Sequence, residues 1–195
     1  MSFLDLDFSE DIRNLSFNSE VVDMDVYNVS FTNCSFTNMD FSASKIEDVI
    51  FDDCKFTNCS FQFFNTESIL RCSFDGCKIF GFNLENLSLI KDCVFSDCNL
   101  KYINFDNVNV KNSKFINCNF NDGKFYKVSL NKVQFLSSSF FNFEFYNTDL
   151  NGIDFRTDDI SGTTFSIMNI KGMIVNQEQA LYLSKFLGIK IEDKI

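Results

Sequence analysis

Residues 93–120 read CVFSD CNLKY INFDN VNVKN SKFIN CNF in steps of five, and the third residue of every step is apolar: Phe95, Leu100, Phe105, Val110, Phe115, Phe120. The series continues through Phe125, Leu130, Phe135, Phe140, Phe145, Leu150, Phe155, Ile160, Phe165 and Ile170 to Val175. Against a 45% apolar background, seventeen consecutive hits arise by chance roughly once in a million. The same spacing runs from Val26 to Phe61 through Phe31, Phe36, Phe41, Ile46, Phe51 and Phe56, and from Ile69 to Leu89 through Phe74, Ile79 and Leu84. Two register slips separate these blocks, three residues between Phe61 and Ile69 and one between Leu89 and Phe95. Seventeen of the thirty pentad centres are Phe.

A period of five fits neither a continuous helix nor a continuous strand. Two before the centre usually stands a small or apolar residue, and the one between is polar in most units, Val94 and Ile174 being exceptions. Three extended residues, in-out-in, are then followed by two that turn a corner. Asn, Asp, Ser, Thr and Gly crowd the corner positions, as in Thr32-Asn33, Asp52-Asp53, Asp75-Gly76 and Ser96-Asp97, because their short polar side chains or missing Cβ suit turns. A chain that turns after every short strand and keeps one stripe inward winds into a solenoid, with successive coils about 4.8 Å apart.

This pattern, over residues 24–175, resembles the pentapeptide-repeat family, whose motif has a central Leu or Phe and a small residue two before it. The resemblance implies an all-β fold: a right-handed quadrilateral parallel β-helix with four pentads per coil and a short C-terminal α-helix. Thirty pentads then make a rod of roughly 36 Å at the sheet spacing. One domain spans 1–195, with an N-terminal cap over 1–20, the β-helix over 21–175 broken near 62–68 and 90–94, and a helical tail over 176–195.

The composition excludes several function classes. The 195 residues contain no His, Pro or Trp, which removes Ser-His-Asp and Cys-His relays and imidazole metal ligands. No phosphate loop, G-x-S-x-G or G-x-G-x-x-G occurs. Carboxylate pairs such as Asp52-Asp53 and Asp158-Asp159 sit on adjacent, diverging positions. No enzyme and no cofactor is expected. Three Arg and scattered Lys offer no basic patch for direct nucleic-acid binding. The first ten residues, with three acids and no base, make no secretory signal, and no apolar run is long enough to span a membrane. A cytoplasmic protein is expected.

All eight Cys (34, 54, 59, 72, 77, 93, 98 and 118) fall two residues before a centre, a slot that a free thiol fills as a small hydrophobe. Metal binding is not expected from that spacing. At twenty residues per coil Cys34 stacks on Cys54 and Cys98 on Cys118, within disulfide reach, although a reducing compartment favours free thiols. Two of these slots break the rule: Phe143 is large enough to swell the core, and Asp158 puts a carboxylate inside.

A solenoid needs caps at its open ends. Asn176 and Gln179 form a capping-box pair opening a helix that Gly188 ends. That helix is apolar on more than one face, which predicts a homodimer through Leu181, Tyr182, Phe186, Leu187, Ile189 and Ile191.

Net charge −10 on a four-sided rod resembles the Qnr quinolone-resistance and microcin-immunity subgroup. The resemblance implies a DNA mimic that binds DNA gyrase or topoisomerase IV. The outward acids Asp40, Asp52, Asp53, Asp75, Asp97, Asp106, Asp122, Asp149, Asp154 and Asp159 are the expected partner-binding surface. The short register breaks leave no room for the subgroup's longer projecting loops. Spread along the whole rod, the net charge amounts to one per about 3.6 Å, half the density of duplex DNA. The alternative is a scaffold for another protein, built on outward Phe63, Phe80, Ile116, Tyr126, Leu136, Phe141 and Tyr146.

Overall fold

In the computed structural model, residues 2–8, 11–79 and 87–192 are described, with residues 63–65 as backbone only. Strands of mostly two or three residues pair in parallel with those one coil away. They build two seven-stranded and two four-stranded sheets around a quadrilateral β-helix. The first and second sides carry the seven-stranded sheets. In the lower coils the third and fourth sides merge into one sheet. In the upper coils the fourth side keeps its own sheet, and the third is stitched by the single bridges Lys78↔Asn99, Asn99↔Asn119, Asn119↔Ser139 and Ser139↔Asp159.

The corners are made by one backbone conformation. Two residues after most centres, φ is positive, from Asn14 and Asn33 through Asp97 and Asn112 to Asn147 and Gly162. Asn, Asp and Gly dominate because they enter the left-handed region at least cost. Stacked corner side chains then bond along the axis: Asn33 Nδ2 donates to Asn14 Oδ1 at 2.7 Å, Asn112 to Asp92 at 3.1 Å and Asn142 to Asp122 at 2.9 Å.

Inside, register turns the pentad centres into columns of rings. Phe17, Phe36, Phe56, Phe74, Phe95, Phe115, Phe135 and Phe155 form one unbroken stack on the second side, with centroids 4.6–5.6 Å apart. The predicted swelling at Phe143 does not occur. Gly123 lies one coil below in the same slot, and a Cβ there would meet the Phe143 ring at 2.9 Å. The volume one coil gives up is filled by the next.

Coil length is where the structure corrects the sequence reading. Ile12 pairs with Phe31 and Phe17 with Phe36, nineteen residues apart. Winding therefore begins at Ile12, inside the stretch assigned to the N-terminal cap. A coil one residue short hides it from a count of five. The first break is a contraction: strand Ser60–Asn65 pairs Phe61 with Phe41 but Phe64 with Ile46, so a pentad has shrunk to three residues. The second is displaced. Ile90, not Leu89, faces inward and pairs with Ile69 and Val110, which keeps step with Phe95. The extra residue lies between Ile79 and Ile90, and Leu84 falls outside the described residues. Two adjacent apolar residues at 89–90 gave the sequence no means to choose.

Both ends are plugged. Below, the Phe3 ring, on a 3₁₀ turn (Phe3–Asp5), sits against Phe17, Phe31 and Phe41. The Glu20 carboxylate anchors it, accepting the Phe3 N–H at 2.9 Å and the Ser2 hydroxyl. Above, helix Gln177–Ser184 opens with the expected capping box, in which Asn176 Oδ1 and Gln179 Oε1 each accept the other's N–H at 2.9 Å. Gly188, φ 70°, closes the turn after it.

Phe120→Ala, at the centre of the ring packing, should cost about 3–5 kcal/mol. Asn112→Ala, which forces a Cβ-bearing residue without a ladder bond into the left-handed region, should cost about 1–2 kcal/mol. Urea denaturation monitored by circular dichroism checks both, and a larger loss at the corner than in the core would contradict this account.

Candidate interaction surface

The ten outward acids fall on all sides of the rod. Asp52 lies on the first sheet, Asp75 on the second, Asp40 on the third side and Asp106 on the fourth. Asp53, Asp97 and Asp122 occupy corners with positive φ. Asp154 and Asp159 bridge to Ile174 and Ser139, and Asp149 precedes the buried Leu150. They form no single stripe. Several are engaged locally: Asp52 pairs with Arg71, Asp122 with Lys101 at 3.2 Å and Asp154 with Arg156 at 2.7 Å. The Asn142 amide and then Lys101 hold Asp122 below the usual carboxylate range, Arg156 does so for Asp154, and the Ser42 hydroxyl and N–H do so for Asp40.

The charge is organised along the axis instead. Residues 1–66 hold twelve acidic and three basic residues, net −9, whereas residues 67–195 hold fifteen and fourteen, net −1. Three of the ten acids, Asp40, Asp52 and Asp53, belong to the acidic third. The other seven are interspersed with lysines such as Lys91, Lys111, Lys114, Lys124, Lys127 and Lys132. The acidic third instead includes Asp11, Asp23, Asp25, Glu47 and Asp48, which the sequence reading passed over although a running count of charge exposes them.

The outward apolar residues also divide. Ile116 pairs with Leu136 on the second sheet, and Tyr126 with Tyr146 on the fourth side, opposite it. Phe141, 51% exposed, follows the third-side centre Phe140. Phe80 and the Phe63 side chain lie outside the described residues. At the C-terminus, Leu181, Leu187, Ile189 and Ile191 are exposed, joined by Ile167 and Met168 of the last coil. Tyr182 and Phe186 differ from expectation by turning inward. The Tyr182 hydroxyl donates to Thr163 O at 2.9 Å, and the Phe186 ring packs edge-on to Phe165 at 6.0 Å. The helix is fixed in that rotation by Gln179, whose Nε2 donates to Phe155 O and Asp158 O at 2.7 and 2.8 Å.

The contraction and the later expansion bring all eight thiols into two columns. Cys34, Cys54, Cys72 and Cys93 rise along the second side, and Cys59, Cys77, Cys98 and Cys118 along the third, each bonded through the backbone to the coil above. Each column is twice as long as a fixed coil of twenty allows. All eight are free and buried. Their sulfurs lie 3.1–3.7 Å from main-chain carbonyls, to which the S–H groups donate. Burial pushes Cys93 up to about 11, and the Cys118 thiol together with burial pushes Cys98 up to about 12. Among the described residues no three His, Cys, Asp or Glu side chains converge as metal ligands, and no helix is long and apolar enough to cross a membrane.

Two family models match the chain, one described as pentapeptide repeats (8 copies) over residues 27–62 and one as a pentapeptide repeat region over 67–138, together more than half its length. The chain belongs to the pentapeptide-repeat family. Among solved structures it is similar to full-length QnrB1, described as a plasmid-mediated fluoroquinolone resistance protein. The identity is 16% over 92% of this chain and 100% of that one, with a TM-score of 0.39. It is also similar to HetL from the cyanobacterium Nostoc sp. strain PCC 7120, at 8% identity over 85% and 84% and a TM-score of 0.37. A third is a pentapeptide repeat protein of the Arabidopsis thaliana thylakoid lumen, at 15% identity over 84% and 77% and a TM-score of 0.24. No curated protein matches the chain in sequence.

A thiol reagent such as Ellman's should label none of the eight cysteines in the folded pentapeptide-repeat rod within minutes and all eight after denaturation. Rapid labelling of even one in native buffer would contradict the columns.

Proposed function

We propose that this protein is a non-catalytic, cytoplasmic binding rod whose acidic N-terminal third occupies the cationic DNA-binding surface of a type II topoisomerase. The observation that carries the reading is the concentration of charge. Net −9 falls within residues 1–66, about three coils and a cap, or about 15–20 Å of axis. That is one charge per about 2 Å, against one per about 1.7 Å in duplex DNA. The low end of the rod therefore reaches duplex density, where the whole rod falls short by half. The choice of partner rests on the resemblance of the acidic four-sided layout to the Qnr and microcin-immunity subgroup. Fields of this kind raise association rates and fall off with salt.

We further propose that two copies pair through Leu181, Leu187, Ile189 and Ile191 with Ile167 and Met168. Such pairing removes an apolar surface from water and sets the two acidic thirds at opposite ends of a rod of double length. The scaffold reading keeps one specific support: the register pairs Ile116–Leu136 and Tyr126–Tyr146 leave apolar side chains on opposite sides, suited to partners other than a DNA-binding surface.

Micromolar protein should inhibit gyrase supercoiling, and the inhibition should weaken with added salt. Asp23→Asn, Asp48→Asn and Asp53→Asn together should lower it about tenfold, whereas Asp97→Asn, Asp106→Asn and Asp159→Asn together should change it little. No inhibition defeats the topoisomerase reading, and equal loss in the two triple variants defeats its placement in the N-terminal third. For the pairing, Leu181→Asp with Ile189→Asp should halve the mass seen by light scattering, and an unchanged mass refutes the interface.

A further inference from the structure

Asp158 occupies the inward slot two residues before Ile160, where the columns below hold Ser138 and then Cys118. It is 6% exposed. Its Oδ1 accepts the Ser138 N–H at 2.7 Å, as the Ser138 hydroxyl accepts the Cys118 N–H at 3.1 Å one coil lower. Its Oδ2 is buried with no hydrogen-bond partner. The main-chain carbonyl of the same residue takes the Gln179 amide at 2.8 Å, one of the two bonds, with that to Phe155 O, by which Gln179 holds the C-terminal helix on the last coil. One residue thus carries both an unbalanced carboxyl oxygen and one of the two carbonyls that anchor the cap.

We infer that Asp158 is a proton-sensitive latch for the C-terminal cap: protonated, it lies quietly under the seated helix, and ionised, it loosens that seat. The groups around it supply no countercharge. Its own coil offers Asp154, already paired with Arg156, and the neighbouring Asp159. The preceding coil offers the Ser138 N–H and hydroxyl, with the Cys118 thiol below. The cap offers the neutral Gln179 amide, with Glu178 beside it and the Tyr182 hydroxyl bound to Thr163 O. No ion pair among the described residues includes Asp158.

Burial, only partly offset by the Ser138 N–H, pushes the carboxyl up to about 6 from an ordinary 3.8. The folded state thus holds this proton more tightly than the unfolded chain. Its contribution to stability is greatest below about pH 4 and is lost as pH rises through about 6. Asp40, Asp122 and Asp154, held low, act in the opposite direction and only at acid pH. With no His in the chain, no imidazole titrates in the interval. The inference rests on the fold and the cap alone, and stands whether or not the partner proposed above is right.

Hydrogen exchange of the full chain at about pH 5 and about pH 7.5, corrected for intrinsic rates, tests it. Protection of residues 177–187 should fall about tenfold or more at the higher pH while that around Phe95–Phe115 stays level. Asp158→Asn, which keeps the acceptor and has no charge, should abolish the difference and raise Tm at about pH 7.5 but not at about pH 5. Equal protection of the wild-type cap at both pH values overturns the inference, as does a pH dependence that survives in the variant. Should Asp158→Asn fail to fold, carboxyl ¹³C titration of the wild-type protein decides. A midpoint near 6 supports the latch, and one below about 4.5 removes it.

Discussion

The constraint on which this structure depends is the parallel pairing of each coil with the next. Once backbone bonds fix the pitch at about 4.8 Å, a side chain on a paired strand lies over the residue in the same slot one coil away. Rings stack on rings because the centres align, with the eight-membered Phe column as the longest case. Thiols stack on thiols, and corner amides bond to corner carboxylates. The same rule makes size a shared property of neighbouring coils, as Gly123 and Phe143 show.

The period of five was legible because inward centres are large and apolar while corners are small and polar, so a solenoid followed from the spacing, while its four sides were implied by the family resemblance over residues 24–175. What stayed hidden was wherever a coil departs from twenty residues. At Leu89-Ile90 two apolar neighbours both fit the column, and only pairing with Ile69 and Val110 separates them. Between Phe61 and Ile69 an apparent insertion is a shortened pentad, because the backbone partner of Ile46 lies only three residues beyond that of Phe41. The column lengths of the cysteines followed from those two errors.

The surface was less legible than the core for a physical reason. Outward positions are free to be polar in many ways, so a list of outward acids samples the composition and not a site. Charge is additive over distance, and the informative quantity was its running sum along the axis. At the C-terminal end, hydrophobicity alone could not separate Tyr182 and Phe186 from Leu181 and Leu187. The rotation of that helix is set by a polar residue, Gln179, whose amide reaches two carbonyls of the last coil. Asp158 stood out in sequence as a carboxylate in an apolar slot, but its link to the cap runs through its backbone, which no side-chain pattern reveals.

The irregular coils have a consequence for how such a chain can lengthen. From Ile90 onward the inward centres recur at intervals of twenty through Val110 and Leu130, so duplicating one twenty-residue block there would return every column to itself. Below Ile90 the spacings are nineteen, twenty, eighteen and twenty-one, and copying a block would disrupt the columns. The acidic end is thus a fixed address, while the segment between it and the C-terminal helix is a ruler that evolution can extend by whole coils. The distance between the two ends is free to change without altering either.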